Sequence, residues 1–160
     1  MPTHSRRATP LEDLDPELTD VSRQVIGAAI DVHKALGPGF DRGVYEKALL
    51  IELEYAGVPF QLNHGVPVLY KDRQVGEHTI NLYVNNRFAV ELLAEHREID
   101  GLDRTKLRAQ LRAADLELGL IINFAERRLK DGLVRVLNPD KLNAMREDRG
   151  ESEHQGDDYE

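Results

Sequence analysis

The 160-residue chain has no cysteine and no tryptophan, and aromatic residues make up only 6% of it. Without cysteine there is no disulfide framework, no thiol nucleophile and no zinc–thiolate site. No apolar run approaches the ~20 residues a membrane span needs, and the opening MPTHSRRATP lacks the apolar core of a secretory signal. A surplus of basic charge is missing too. The formal net charge is −8, of which residues 1–20 carry −3 and residues 146–160 carry −5, so residues 21–145 balance to zero. Proteins that depend on neutralising phosphates usually show a basic excess, so tight nonspecific nucleic-acid binding is disfavoured and only a local basic patch stays open. What remains is a soluble, cytoplasmic single domain. At this length it can bury roughly two thirds of its unfolded surface.

Three segments are expected. Residues 1–19 are acidic and proline-bearing (Pro2, Pro10, Pro16), and read as flexible or loosely docked. Residues 20–138 hold the apolar periodicity of a globular domain. Residues 139–160 end in an acidic stretch without aliphatic side chains after residue 145, too polar to offset the entropy of ordering.

Within the domain, Val21, Val25, Ala28, Ala29, Val32 and Leu36 fall at helical spacing, with Gly37 and Pro38 as stop signals. A second helix over residues 43–56 is apolar on more than one side, which predicts burial between layers. The period then changes. Residues 66–70, 75–84 and 88–94 alternate like strands, and Asn85-Asn86 suits a tight hairpin because Asn tolerates positive φ. A third helix over residues 103–114 precedes Leu118-Gly119-Leu120-Ile121-Ile122-Asn123-Phe124, a continuous apolar run typical of a strand covered on both faces. Residues 133–137 make a last strand. The order ααβββαββ indicates an α/β fold, a mixed sheet flanked by helices.

Alternation puts Glu77, Thr79, Asn81 and Tyr83 on one face of the second strand and His78, Ile80, Leu82 and Val84 on the other. In the next strand Glu91 is the anomaly. It lies within FAVELLA, where a buried, unpaired carboxylate costs several kcal/mol. It needs a cation, a hydrogen-bond cluster or a metal ion as partner.

The strings VHKALGPGF, VYEKAL, GEHTINLYV, VELLA and LGLIINFAERRLKDG, in this order and spacing, resemble the bacterial GxxExxY protein family of the PD-(D/E)XK nuclease-like superfamily. The resemblance covers about residues 21–137. It implies a restriction-endonuclease-like core that cleaves phosphodiesters with Mg²⁺ or Mn²⁺: carboxylates hold the metal, the metal acidifies a water, and a lysine steadies the attacked phosphate.

Carried over position by position, the implied site is altered. The leading glycine is Gly39 and the closing tyrosine Tyr45, but the helix glutamate position is Arg42. The metal-binding aspartate position is Asn81, the strand glutamate is kept as Glu91, and the lysine position is Leu93. The family's glutamine and tyrosine on the third helix fall on Lys106 and Gln110, or, with a gap, the glutamine on Gln110. Three of the four charged positions are thus replaced. Hard divalent cations usually keep one or two carboxylates, so no cofactor is expected, with Glu91 the one metal ligand if Mg²⁺ or Mn²⁺ binds.

Arg42 is a candidate ion-pair partner for Glu91. Lys106 is a candidate substitute for the missing ammonium, and Asp41 or Glu46 for a missing carboxylate. Arg104, Lys106, Arg108, Gln110 and Arg112 on the third helix, with Arg127, Arg128 and Lys130, are candidate phosphate contacts, although interspersed acids equally suit a solvated face. His33 reads as a packed or hydrogen-bonded helix residue. Gly37-Pro38-Gly39 lacks a following Lys-Ser/Thr and reads as a helix–helix turn rather than a phosphate loop.

Three functions are compatible with these residues: a catalytically impaired nuclease fold that binds nucleic acid weakly or a protein partner, an active nuclease rearranged around Glu91 and Lys106, and a self-associating scaffold. None involves a membrane.

Overall fold

The computed structural model describes residues 15–141. Its elements are α1 (Pro16–Leu36), α2 (Arg42–Tyr55), β1 (Phe60–Tyr70), β2 (Arg73–Val84), β3 (Phe88–Leu93), α3 (Gly101–Ala114), β4 (Leu118–Asn123) and β5 (Leu133–Leu137), with a 3-10 turn at Leu129–Gly132. The expected ααβββαββ order is present. The strands form one sheet in chain order. Only β3 and β4 pair in parallel, which demands a crossover connection, and α3 provides it. Among the described residues no helix is long and apolar enough to cross a membrane.

Two apolar clusters cover the two faces of the sheet. On one side α1 and α2 bury Val25, Ala29, Tyr45, Leu49 and Leu53 against Leu82, Val90, Leu92 and Leu120. On the other, Leu107 and Leu111 of α3 meet Ile80, Ala89, Leu93 and Ile121. Every residue of β4 is buried, as its unbroken apolar run predicts. Gly119 lets α3 approach closely: a Cβ there would lie 3.0 Å from the Leu107 side chain and 3.2 Å from the Ala89 carbonyl.

Several expectations need correction. The helix starts at Pro16, with the Asp15 side chain accepting from the Glu17 N–H, and Leu18 is buried in the core. Proline is tolerated there because the first helical N–H groups have no intrahelical acceptor. The domain therefore reaches further back than residue 20. At the other end residues 139–141 are helical, and Lys141 pairs with Asp115 at 3.0 Å. Residues 1–14 and 142–160 lie outside the described residues, and with them most of the two expected tails.

The second helix is not buried between layers. Tyr45, Leu49 and Leu53 are buried and Ala48 and Leu50 pack partly against the same cluster, while Val44, Ile51 and Tyr55 are exposed, because nothing among the described residues packs on its outer side. At the β2–β3 turn Asn85 and Asn86 have φ of 54° and 56°. The Arg87 N–H closes that turn on the Val84 carbonyl, but pairing resumes at Phe88, so Arg87 adds one residue to the expected two-residue connection.

Candidate active-site cleft

β2 and β3 pair only between Val84↔Phe88 and Leu82↔Val90, and beyond Leu82 the pairing ends. Asn81 stands at the fork. Its Oδ1 accepts the Leu92 N–H at 3.0 Å, replacing the ladder bond the lost pairing would have made. On the other side, β1 pairs Leu62 with Leu82 and His64 with Ile80, skipping Asn63, whose φ is +51°. Asn adopts that left-handed conformation more readily than other non-glycine residues.

Alternation along β2 slips at this irregularity. Leu82 and Val84 pack under α1 and α2, whereas Ile80 packs under α3 with Tyr83 beside it. The single apolar face expected for Ile80, Leu82 and Val84 is therefore corrected. The fork opens a cleft of about 310 Å³ lined by Arg42, Thr79, Asn81, Glu91, Leu93 and Glu95, with Asn63 at its rim.

Arg42 opens α2 and projects into this space. Its Nη1 donates to Asn81 Oδ1 at 3.1 Å and pairs with Glu46, one helical turn on, at 3.5 Å. The expected ion pair between Arg42 and Glu91 is not formed, because the guanidinium is held by Asn81 and Glu46 instead. Among the described residues nothing pairs with the Glu91 carboxylate. Burial raises its pKa above the ordinary value, the charges of Arg42 and Lys106 oppose that rise, and Asp103 adds to it.

Leu93, where a lysine was implied, is 8% exposed and packs against α3. Asp41 is the N-terminal flanking residue of α2 and does not line the cleft.

The basic residues of α3 divide between two edges of the helix. Lys106 is exposed, but its charge reaches Glu91. Gln110, one turn later, donates to the Thr79 carbonyl at 3.3 Å, and its Oε1 is buried without a partner. Both follow the edge nearest the cleft. Arg104, Arg108 and Arg112 repeat every four residues along the opposite flank, where Arg112 pairs with Asp140 at 3.5 Å. The five residues do not form one patch. Arg128 pairs with Asp131, and Arg127 and Lys130 are exposed.

His33 is buried, its Nε2 2.8 Å from the Glu126 carbonyl, so it braces the loop after β4 and takes no part in the cleft. Tyr45 is structural as well. Its hydroxyl donates to the Gly37 carbonyl and accepts the Phe40 N–H, and its ring stacks on Phe124 at 4.6 Å. It thereby fixes the turn that delivers Arg42 to the cleft.

The cleft does not fit a hard divalent cation. It offers Glu91, an amide oxygen already accepting two hydrogen bonds, and a guanidinium, while Glu95 is bound to Arg97 at 2.6 Å. Among the described residues no group of three or more acidic, histidine or cysteine side chains could hold a metal.

Sequence reasoning missed Asn63, Thr79 and Glu95 as cleft-lining residues. The asparagine between Leu62 and His64, a poor strand former that accepts positive φ, was the available signal. Alternation put Thr79 on the face of Asn81, which was the signal for it, and nothing in the pattern marked Glu95.

An α/β sheet of this order, forked beside an inward-facing strand glutamate, defines a nuclease-like core. The family model of the PD-(D/E)XK nuclease superfamily matches residues 19–136, and the chain belongs to that superfamily. No curated protein and no solved structure matches it.

Proposed function

We propose that the chain is a GxxExxY-type nuclease-fold protein that no longer hydrolyses phosphodiesters and instead binds nucleic acid weakly at the cleft. The observation that carries this reading is the Arg42–Asn81 hydrogen bond of 3.1 Å. A fixed cation occupies the place where the fold would gather negative charge for a metal, leaving Glu91 as the sole cleft carboxylate without a partner among the described residues. Arg42, which lines the cleft, and Lys106, exposed on α3, supply two positive charges suited to a phosphate backbone.

Calorimetric titration with Mg²⁺ or Mn²⁺ is expected to give no heat of binding. DNA and RNA, single- and double-stranded, should stay intact with either ion. Gel shifts over a salt series should give a shallow slope, about −2 in log–log form for two phosphate contacts. Cleavage by the wild type that Glu91→Ala abolishes would overturn the reading. Its rival is a rearranged nuclease using Glu91 and Lys106, favoured by the effect of the Lys106 charge on Glu91. That rival predicts cleavage by the wild type that is lost in Lys106→Ala. The triple variant Arg42→Glu, Asn81→Asp, Leu93→Lys should gain metal binding under the first reading.

A further inference from the structure

The outer side of α2 carries a second apolar stripe that the domain does not use. Val44 is 41%, Ile51 52% and Tyr55 85% exposed, and with Ala48, which is half-buried and also touches the core at the edge of the stripe, they follow one another at intervals of four, three and four residues. That is the d-a-d-a spacing of a coiled-coil seam. It runs about 16 Å along the helix, three turns at 1.5 Å per residue. The buried residues Tyr45, Leu49 and Leu53 lie on a different face, and Arg42 and Glu46, which border the cleft, lie on the edge away from the stripe.

We infer that this stripe is a homodimer interface in which α2 packs antiparallel on α2 of a second copy, about a two-fold axis between Ala48 and Ile51. The stripe is self-complementary in that arrangement. Val44 of one copy meets Tyr55 of the other, and Ala48 meets Ile51, so a small side chain faces a larger one at both central layers. The flanking charges match as well. Lys47 and Glu54 occupy the same flank of the seam one heptad apart, and antiparallel packing sets Lys47 of each copy against Glu54 of the other. A parallel pair would instead set Lys47 against Glu52 of the other copy, a residue that is half-buried in its own copy, and would leave Glu54 with no opposite charge because the matching position falls past the end of α2. Lys47 and Glu54 are exposed, and among the described residues neither has an ion-pair partner within its own copy. Two-fold packing on this side leaves both clefts open.

Sedimentation velocity from about 1 µM to about 1 mM should show a monomer–dimer equilibrium. Ile51→Glu should weaken it at least tenfold, with an unchanged circular dichroism spectrum because Ile51 is exposed. Lys47→Glu should weaken it by several fold, and Lys47→Glu with Glu54→Lys should restore it. The chain contains no cysteine, so orientation is read directly: mixing Ala48→Cys with Ile51→Cys should give a 48–51 disulfide in preference to either self-linked product. A monomer throughout, an unchanged dimer in Ile51→Glu, no rescue by the double exchange, or predominant 48–48 linkage would each overturn the proposal. Nucleic-acid binding by Ile51→Glu should match wild type, so loss of the dimer and failure of the cleft reading are separate results.

Discussion

Two arginines border the C-terminal end of β3, and they are used in opposite ways. Arg97 is saturated: it donates to both oxygens of Asp103, at 2.6 and 3.0 Å, and to Glu95 at 2.6 Å. Asp103 and Asp100 complete a capping box at the start of α3. The loop beneath is tied by Asn123, whose Nδ2 donates to the Glu95 and Arg97 carbonyls and whose Oδ1 accepts the Glu95 and Ala125 N–H groups. Arg42 has one amide oxygen at 3.1 Å and one carboxylate at 3.5 Å, and Glu91, in the same cleft, has no partner among the described residues. Charges that are fully matched hold a loop in place. Charges only partly matched in an open cleft remain available to a ligand, and that difference separates scaffold from site.

The largest effect should come from the scaffold side. Asn123→Ala removes a side chain only 1% exposed and leaves two carbonyls and two N–H groups of Glu95, Arg97 and Ala125 without their partner, and about 3 kcal/mol of stability should be lost. Asn81→Ala removes a single backbone partner and should cost about 1 kcal/mol. Urea unfolding of both variants checks the ranking, and equal losses would erase the distinction between the two centres.

Next in size is an acid-dependent loss. Hydrogen bonding from Arg97 is the main cause holding the Asp103 carboxyl down to about 2, below its ordinary 3.8. A depressed carboxyl pKa stabilises the fold above its unfolded value, and that contribution disappears as pH falls from about 4 to about 2. Because the cluster is partly solvated, about 1 kcal/mol is expected rather than the full shift. Asp103→Asn should be less stable than wild type at neutral pH, and the gap should close toward pH 2. A gap independent of pH would show that Asp103 acts only as a helix cap.

Element order and type were legible because each segment's period is strong: the apolar stripe of α1, the unbroken run of β4, the two asparagines at the hairpin turn. The strand glutamate was legible as an anomaly because a lone carboxylate in FAVELLA is costly whatever its surroundings. Its environment was not. Which partner Arg42 takes depends on where α2 meets β2, a tertiary relation between residues 39 apart in sequence. The face of Ile80 was misjudged because simple alternation does not register the break between Ile80 and Leu82, which enter different apolar clusters where Asn63 and Asn81 drop out of the β1–β2 pairing. The burial of α2 was overread for a different reason. Apolar residues on two sides of a helix state that two surfaces want cover, not that one chain supplies both.

The smallest predicted effect has the opposite sign to most substitutions. Burial makes the ionised form of Glu91 unfavourable, with Arg42 and Lys106 only partly compensating. A carboxyl whose folded pKa lies above its unfolded value destabilises the fold once both states are ionised, and that penalty fades as pH falls through the folded pKa. Glu91→Gln should therefore raise stability at pH 7 by about 0.5 kcal/mol, a midpoint shift of about 1–2 °C, and the advantage should vanish near pH 4. Adding Mg²⁺ should leave the melting temperature of both proteins unchanged. If wild type were instead stabilised by Mg²⁺ while Glu91→Gln was not, the unpartnered carboxylate would be a metal ligand after all, and the cleft would belong with working nucleases.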